Sequence, residues 1–198
     1  MGLLTSNAGR ALLVSLILTV SLVAFFTPSI PETVSNTYHM AFPLRDLDVS
    51  LEQIQKSPPT VLVSVKNTRE NNVTVLTYGS PLDPLAIQLG MLYITPEGQR
   101  SALEIQQLEV QRQWPPTEDA LVQINAGETH SVEITIMEPV VPMYKLDKKA
   151  RVQLSGKWQA VWPAEKSKIP KDVIEAGGTG EHAVSGGFSS NKIDIDIE

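Results

Sequence analysis

The sequence is 198 residues long, of which 42% are hydrophobic and 19% charged; this is the balance of a globular chain with room for one domain, not of a disordered tail. Its 16 basic and 22 acidic residues give a formal charge of -6, which argues against nucleic acid as a partner because no net positive field attracts phosphate. The absence of cysteine excludes disulfides, thiolate zinc sites and cysteine nucleophiles.

The first 29 residues have the organisation of a signal peptide. Arg10 and the free amino group precede an uncharged apolar stretch, residues 11–26, which is short for a helix that spans a membrane. A cleaved signal predicts an extracellular protein. The alternative, an uncleaved hydrophobic helix, predicts a membrane-anchored protein that faces outward. Residues 30–43 then form a spacer rich in proline, threonine and serine.

Residues 44–198 are predicted to form a single domain of short strands. Apolar and polar residues alternate in runs separated by glycine, proline and asparagine, and no stretch has the period of a three-turn amphipathic helix. The predicted strands are 47–54, 60–66, 73–78, 91–94, 103–106, 121–124, 131–136, 150–161 and 191–198. This pattern predicts an all-β fold, an antiparallel immunoglobulin-like β-sandwich, with a closed barrel as the alternative.

Three local patterns make this prediction more specific. The asparagine-rich segment 67–72 favours a turn, so the strands 60–66 and 73–78 are predicted to form a hairpin. The strict alternation over 191–198 requires a core for its three isoleucines. Tyr144 stands just before the longest run, where immunoglobulin-like domains carry a tyrosine corner, although tyrosine is also common at strand ends.

No catalytic constellation stands out in this pattern. The three histidines, His39, His130 and His182, have no partner at metal-ligand spacing, and the sequence contains no HExxH, G-x-S-x-G or P-loop motif. The glycine-rich residues 177–180 are typical of a flexible loop and not of a phosphate cradle. The sequence therefore predicts no catalytic residue, no metal and no cofactor, and a protein that is not an enzyme.

Two groups of charged residues favour solvated surfaces. Asp194, Asp196 and Glu198 alternate along the last strand, and outward acids on an edge strand chiefly maintain solubility; no Asp-rich loop supplies further calcium ligands. Residues 145–171 hold eight of the 16 basic residues. Because these are interleaved with core-type residues, they indicate a solvated sheet face, with a binding patch as the alternative.

The candidate partner-binding residues lie in loops, because loops on a rigid scaffold carry most contacts with partners. They are Tyr78, Gly79, Pro81, Leu82 and Asp83 in one loop and Trp114 in another. In each loop a structural role is the alternative: glycine and proline serve the turn, and Trp114 folds back over the core. Asn72 begins an Asn-Val-Thr sequon, which predicts N-glycosylation in an exported chain.

Several segments, taken together, resemble a known family. Residues 61–68, VLVSVKNT, and 73–83, VTVLTYGSPLD, are similar to the N-terminal pro-region of deuterolysin-type fungal metalloendopeptidases. In that pro-region a strand ending in Lys-Asn-Thr leads to a segment of the form Leu-x-Tyr-Gly-Thr-x-Leu-Asp. Residues 124–128, Tyr144 and residues 187–193 keep the family's order, so the similarity spans residues 47 to 198.

The resemblance implies a pro-domain without its protease. In that family the pro-region precedes a zinc protease domain that carries HExxH, and this chain stops where that domain would begin. We therefore expect a free-standing, secreted and non-catalytic sandwich that binds a secreted metalloprotease or another extracellular protein, and that inhibits a protease or assists its folding. A cell-surface adhesive or structural module and a truncated zymogen of a zinc endopeptidase are the alternatives.

Overall fold

The computed structural model describes residues 44–176 and 183–198. These residues belong to one compact unit, Ala41–Glu198. The predicted signal peptide (1–29), its hydrophobic helix and the spacer (30–43) lie outside the described residues, as do His39, His182 and the glycine-rich residues 177–180.

Within the described residues, eight strands form two antiparallel sheets, so the predicted sandwich is confirmed over the barrel. The strands are β1 (Leu47–Lys56), β2 (Pro59–Asn67), β3 (Val73–Leu76), β4 (Leu92–Pro96), β5 (Leu121–Ile124), β6 (Thr129–Thr135), β7 (Lys149–Trp162) and β8 (Val184–Asp196). The first sheet has the order β1-β2-β6. The second has the order β4-β7-β3-β5, and β8 also pairs with β7.

The core lies between the two sheets. Val61 and Val63 of the first sheet pack in one cluster with Ile94 and Val152 of the second. β-Branched residues at alternate positions suit this arrangement because successive side chains of a strand point to opposite faces. Ile195 is fully buried in the same cluster. Its neighbours on the last strand, at positions 193 and 197, pack against the cluster, which confirms that the three isoleucines face the core.

The longest strand, β7, changes face part-way along its length. Up to Trp158 its even-numbered residues point into the sandwich core, whereas beyond that point Val161 does so. The pairing of β7 with β8 shifts register between Trp158 and Val161, as expected for a β-bulge, which inserts an unpaired residue. Ala160 and Trp162 therefore belong to a third cluster, separate from the core of the sandwich.

This third cluster is covered by the segment after β7. Ile169 is buried in the cluster with Leu121 and Trp162. The segment contains a short 3-10 helix, Lys166–Lys168, and one α-helix, α1 (Lys171–Glu175). It stays attached to the sheet because the Lys166 N–H donates to Gln123 Oε1 at 2.9 Å.

The predicted hairpin at residues 67–72 is wrong. β2 pairs with β1 and β6 in the first sheet, whereas β3 pairs with β5 and β7 in the second. The asparagine-rich segment therefore carries the chain from one sheet to the other. Turn chemistry reveals that the chain bends there, but it does not reveal which strand receives the backbone hydrogen bonds.

Two further expectations are corrected. Residues 103–106 form no strand; Leu103 and Ile105 pack against the core, and a backbone bond from the Leu103 N–H to the Ile94 oxygen (2.7 Å) ties the segment to β4. Tyr144 is not a tyrosine corner, because it is 81% exposed. It lies on a 3-10 helix, with the Lys145 ammonium 5.9 Å from its ring centre.

Candidate functional site

The side of the sandwich bounded by β5 and β6, which we call the open side, holds a cleft of about 330 Å³. β5 and β6 are the last strands of their respective sheets. The cleft is lined by Thr77, Tyr78, Leu82, Asp83, Pro84, Arg112, Thr117, Asp119, Ala120, Val122, His130 and Val132. Three candidate residues from one predicted loop therefore meet side chains of both sheets here.

Asp83 fixes the shape of the loop that follows β3. Its side chain is 1% exposed. Its Oδ2 accepts from the Gly79 N–H at 2.7 Å and its Oδ1 from the Leu85 N–H at 3.0 Å. Gly79 has a φ of 64°, a left-handed conformation that glycine adopts without a steric penalty. The aspartate thus organises its own loop through local backbone bonds, as Asp does in turns.

Arg112 completes this arrangement. Its Nη2 donates to both carboxylate oxygens of Asp83, at 2.9 and 2.7 Å, so the buried negative charge has a charged partner. The Arg112 guanidinium also lies 5.0 Å from the ring centre of Tyr78, within cation–π range. Arg112 could not be identified from the sequence as a partner of Asp83, because it lies 29 residues away in a segment without a periodic pattern.

Burial divides the predicted loop residues into two groups. Pro81, Leu82 and Asp83 are buried, whereas Tyr78 and Gly79 are half-buried. Of the buried residues, Leu82 and Asp83 line the cleft, and all three offer little surface to a partner. A binding role for this loop stays a prediction, and among its side chains Tyr78 is the one in position to meet a partner.

β6 supplies both a wall of the cleft and a row of polar backbone groups. His130 and Val132 point into the cleft. The Asn67 N–H donates to the Glu128 oxygen and the Ile136 N–H donates to the Pro59 oxygen, so even-numbered residues of this stretch bond to β2. In an antiparallel strand the intervening residues point the opposite way. The N–H and C=O groups at positions 129, 131, 133 and 135 therefore face away from β2.

Those outward backbone groups are unpaired within residues 44–176 and 183–198. The register of β6 with β2 is continuous from Thr129 to Thr135, and no hydrogen bond of the described residues uses the outward groups. The outward side chains are also exposed. β6 therefore presents an exposed strand edge next to the cleft.

The opposite side of the sandwich, which we call the sealed side, is bounded by β1 and β8. Leu51 of β1 and Asn191 of β8 form a reciprocal pair: the Leu51 N–H donates to Asn191 Oδ1 at 2.7 Å, and Asn191 Nδ2 donates to the Leu51 oxygen at 3.1 Å. Gln53 and Asp196 repeat this arrangement, with bonds of 2.7 and 2.9 Å. Side-chain amides therefore take the place of a neighbouring strand.

The two remaining edges are shorter or covered. The Leu103 N–H donates to the Ile94 oxygen of β4 at 2.7 Å. β5 has only four residues, and the carbonyl of its last residue, Ile124, accepts from Asn67 Nδ2 at 3.1 Å. Short strands and covering loops are two ways in which proteins limit pairing at sheet edges.

Trp114, the other predicted contact residue, lies apart from the cleft. It is 45% exposed, and its Nε1 donates to the Glu175 oxygen at 2.8 Å. A contact role for Trp114 and its alternative role as a lid on the core both stay predictions. The adjoining prolines, Pro115 and Pro116, line a second depression with Ile169 and other residues around α1.

Asn67 joins the two segments that pass between the sheets at one end of the open side. It is fully buried, and its Nδ2 donates to the oxygens of Asn71, Ile124 and Asn125 at 2.9 to 3.2 Å. The predicted glycosylation residue, Asn72, lies in the same crossing. It is half-buried, and its Oδ1 accepts from the Ala126 N–H at 3.0 Å.

The described residues contain neither a metal-binding cluster nor a helix that could span a membrane. Among residues 44–176 and 183–198, no group of three or more histidine or acidic side chains is placed to hold a metal ion. In the same part of the chain, no helix is long and apolar enough to cross a membrane.

Comparison with known proteins assigns the family. A family model for the immunoglobulin-like domain matches residues 46–197, which cover both sheets. The chain belongs to the immunoglobulin-like domain family. It is also similar to a protein of Arthroderma benhamiae named uncharacterized secreted protein, with 29% identity over 140 residues, or 70% of this chain and 69% of that relative. Neither match names a deuterolysin pro-region.

Proposed function

We propose that this chain is an exported immunoglobulin-like domain that binds another protein through the open side of its sandwich and has no catalytic activity of its own. The secreted relative and the signal-like sequence of the first 29 residues support export. The family supports a scaffold in which function lies in a grafted site, since a fold alone does not specify function.

The observation that carries the proposal is the difference between the sides of the sandwich. On the sealed side, Asn191 of β8 bonds the backbone of β1 at Leu51, and Gln53 of β1 bonds the backbone of β8 at Asp196. The open side combines the edge of β6, unpaired within the described residues, with a cleft that is lined by a half-buried aromatic residue, Tyr78. Partners commonly bind at unpaired edges beside pockets and at partly exposed tyrosines.

The first candidate partner is a secreted metalloendopeptidase of the deuterolysin type. The pro-region resemblance of residues 61–83 motivates this choice, and it includes the loop that lines the cleft. Binding of this kind would inhibit the protease or assist its folding by covering part of its surface.

Binding of the exported chain to a purified deuterolysin-type protease, measured by biolayer interferometry together with protease activity, tests the proposal. Tyr78→Ala is expected to weaken binding about tenfold or more, as truncation of an aromatic anchor does. Tyr93→Ala is the matched control because Tyr93 is an exposed tyrosine on β4, outside the cleft lining. Equal binding by both variants would place the contact elsewhere, and no binding by the unsubstituted chain would remove this protease as the partner.

A further inference from the structure

We infer that the free edge of β6 receives an extended segment of the partner polypeptide as an added strand, with apolar side chains of that segment entering the open-side cleft. This inference rests on the proposed function and names the chemistry of the partner. Its first support is the direction of the backbone groups at positions 129, 131, 133 and 135, which face away from β2 and are unpaired within the described residues.

The second support is the absence of edge protection along β6. Natural edge strands commonly carry lysine, proline or a bulge that discourages pairing. β6 reads THSVEIT, which includes neither lysine nor proline, and its register with β2 shows no shift. Its single outward charge is Glu133. The strand therefore has no bulge, carries exposed side chains at alternate positions and is seven residues long, which suffices for several new ladder bonds.

The third support is the position of the cleft. The side chains of an added strand would alternate between the two faces of the sheet, as those of β6 do. Every second side chain of the added strand would therefore lie beside His130 and Val132 and point toward the cleft. Val122, Leu82 and the ring of Tyr78 give the cleft apolar surface. In strand addition, main-chain bonds supply affinity and pockets for alternate side chains supply specificity. The geometry favours valine-like side chains at these positions.

The charge of Glu133 indicates which kind of residue the partner segment carries on its exposed face. Glu133 is opposite Leu62 in the β2 pairing, and it belongs to no ion pair of the described residues. Opposite charges at facing positions of neighbouring strands attract. The partner segment is therefore an apolar and polar alternation with a basic residue that faces Glu133.

The test uses a short fluorescein-labelled peptide in which valine alternates with threonine and the central threonine is replaced by lysine. Its binding to the exported chain is measured by fluorescence anisotropy. Ser131→Pro removes an outward N–H without removing a bond to β2, and Ser131→Ala is the matched control because both variants lose the Ser131 to Ser64 hydroxyl bond. We expect Ser131→Pro to bind the peptide about tenfold more weakly than Ser131→Ala.

A second variant keeps the test decisive if Ser131→Pro is misfolded. Glu133→Lys keeps every backbone group, and we expect it to bind the lysine peptide about threefold more weakly and a peptide with glutamate at that position about threefold more tightly. Circular dichroism and thermal melts of each variant establish that the sandwich is retained. Failure of the unsubstituted chain to bind the peptide overturns the inference, and so does equal binding by Ser131→Pro and Ser131→Ala when both are folded.

The protease assay separates this inference from the proposed function. Protease binding that is unchanged in Ser131→Pro would leave the proposed function in place and overturn strand addition. Peptide binding that depends on Ser131, with no protease binding, would support strand addition and reject the protease as partner. A concentration-dependent dimer that Ser131→Pro abolishes would assign the edge to a second copy of the chain and overturn the inference.

Discussion

The two long sides of this sandwich differ in how the backbone N–H and C=O groups of their edge strands are paired. On the sealed side, the amide side chains of Asn191 and Gln53 exchange hydrogen bonds with the backbones of β1 and β8. On the open side, β6 keeps its outward backbone groups unpaired within the described residues. An asparagine or glutamine amide carries the same kinds of donor and acceptor as a peptide group, so Asn191 satisfies the N–H and C=O of Leu51 and Gln53 satisfies those of Asp196.

The difference shows that an exposed edge is not imposed by the fold. The first sheet has two edges, β1 and β6, and only β1 is covered by amide side chains. Among the described residues, the outward backbone groups of β6 are unpaired and adjoin a cleft, which is consistent with a binding role because such an edge is otherwise an aggregation hazard. Charge adds to the contrast, since Lys56 pairs with Asp196 at 2.8 Å on the sealed side.

The largest effect is expected from the residue that fixes the end of the open side. Asn67→Ala removes one amide that donates to three backbone oxygens and leaves a buried space, so we expect the free energy of unfolding to fall by about 3 kcal/mol. Urea denaturation measures this. Asn72→Ala is the control, because Asn72 accepts one bond in the same crossing and is expected to cost about 1 kcal/mol or less. Equal losses would contradict the central role of Asn67.

The ion pair in the cleft is expected to have the next largest effect. Arg112→Met keeps an apolar side chain but leaves the buried Asp83 carboxylate without its cation, so we expect a loss of about 2 kcal/mol, reduced from that of a fully buried pair because Arg112 is partly exposed. Arg151→Met is the control: its partner, Asp194, is exposed. If both variants unfold at the same urea concentration, the cleft pair does not stabilise the loop.

Removing the amide that pairs β1 on the sealed side is expected to cost less stability than the two preceding substitutions and to promote self-association. Asn191→Ala leaves the Leu51 N–H and C=O without their partner, which should cost about 1 to 2 kcal/mol. The exposed edge of β1 should also promote concentration-dependent association, measured by analytical ultracentrifugation. Ser185→Ala, at an exposed position of the same strand, is the control. A monomeric and fully stable Asn191→Ala protein would show that the amide is not needed to cover the edge.

Because of the acidic residues of β8, on the sealed side, we expect the stability of the folded protein to depend weakly on pH. Hydrogen bonding to Arg151 lowers the pKa of Asp194, and hydrogen bonding to Lys56 lowers the pKa of Asp196, from their ordinary value of 3.8. Because the pKa is lower in the folded protein, these groups stabilise it above pH 3.8, and that stabilisation is lost as pH falls through the lowered folded pKa.

Thermal melts from pH 6 downward measure this loss, which is expected to be small because the carboxylates are exposed and screened by salt. The double variant Asp194→Asn and Asp196→Asn should show a shallower decrease in melting temperature over the acid range. An identical decrease in both proteins would assign the acid sensitivity to other groups.

The smallest effect on the fold is expected from a glycan at Asn72, at the end of the open side. The Thr74 hydroxyl of the sequon is buried and donates to the Ala164 oxygen at 2.8 Å, so modification must precede folding. Mass spectrometry of the exported chain before and after treatment with a peptide N-glycosidase should show one glycan, which is absent from Asn72→Gln. An unmodified Asn72 in chain secreted from a eukaryotic host would remove this prediction.

Local alternation allowed most strands to be predicted, and tertiary pairing accounts for the failures. The pattern of residues 47–66 contains its own evidence for two strands, because the buried valines occupy alternate positions. Residues 103–106 show a similar pattern but make only an isolated bond to β4. The bulge after Trp158 could not be predicted from the local pattern either, because it depends on the pairing register of β7 with β8.

The candidate site was predicted only in part. Tyr78 and Asp83 were identified as loop residues, and they do line the open-side cleft. Arg112 was missed, and His130 was considered only as a metal ligand. Their side chains reach the cleft because β5 and β6 are brought to one side of the sandwich, a relation between distant segments that has no local signal in the sequence.

Composition and periodicity by themselves predicted an antiparallel all-β domain with an apolar interior, because side-chain alternation along a strand is a local property. The arrangement of the strands in two sheets distinguished the sandwich from a closed barrel. Tertiary structure alone decided which strand edges are covered and which is free. Edge pairing depends on contacts such as Leu51 with Asn191, separated by 140 residues, and these form only after both sheets have assembled.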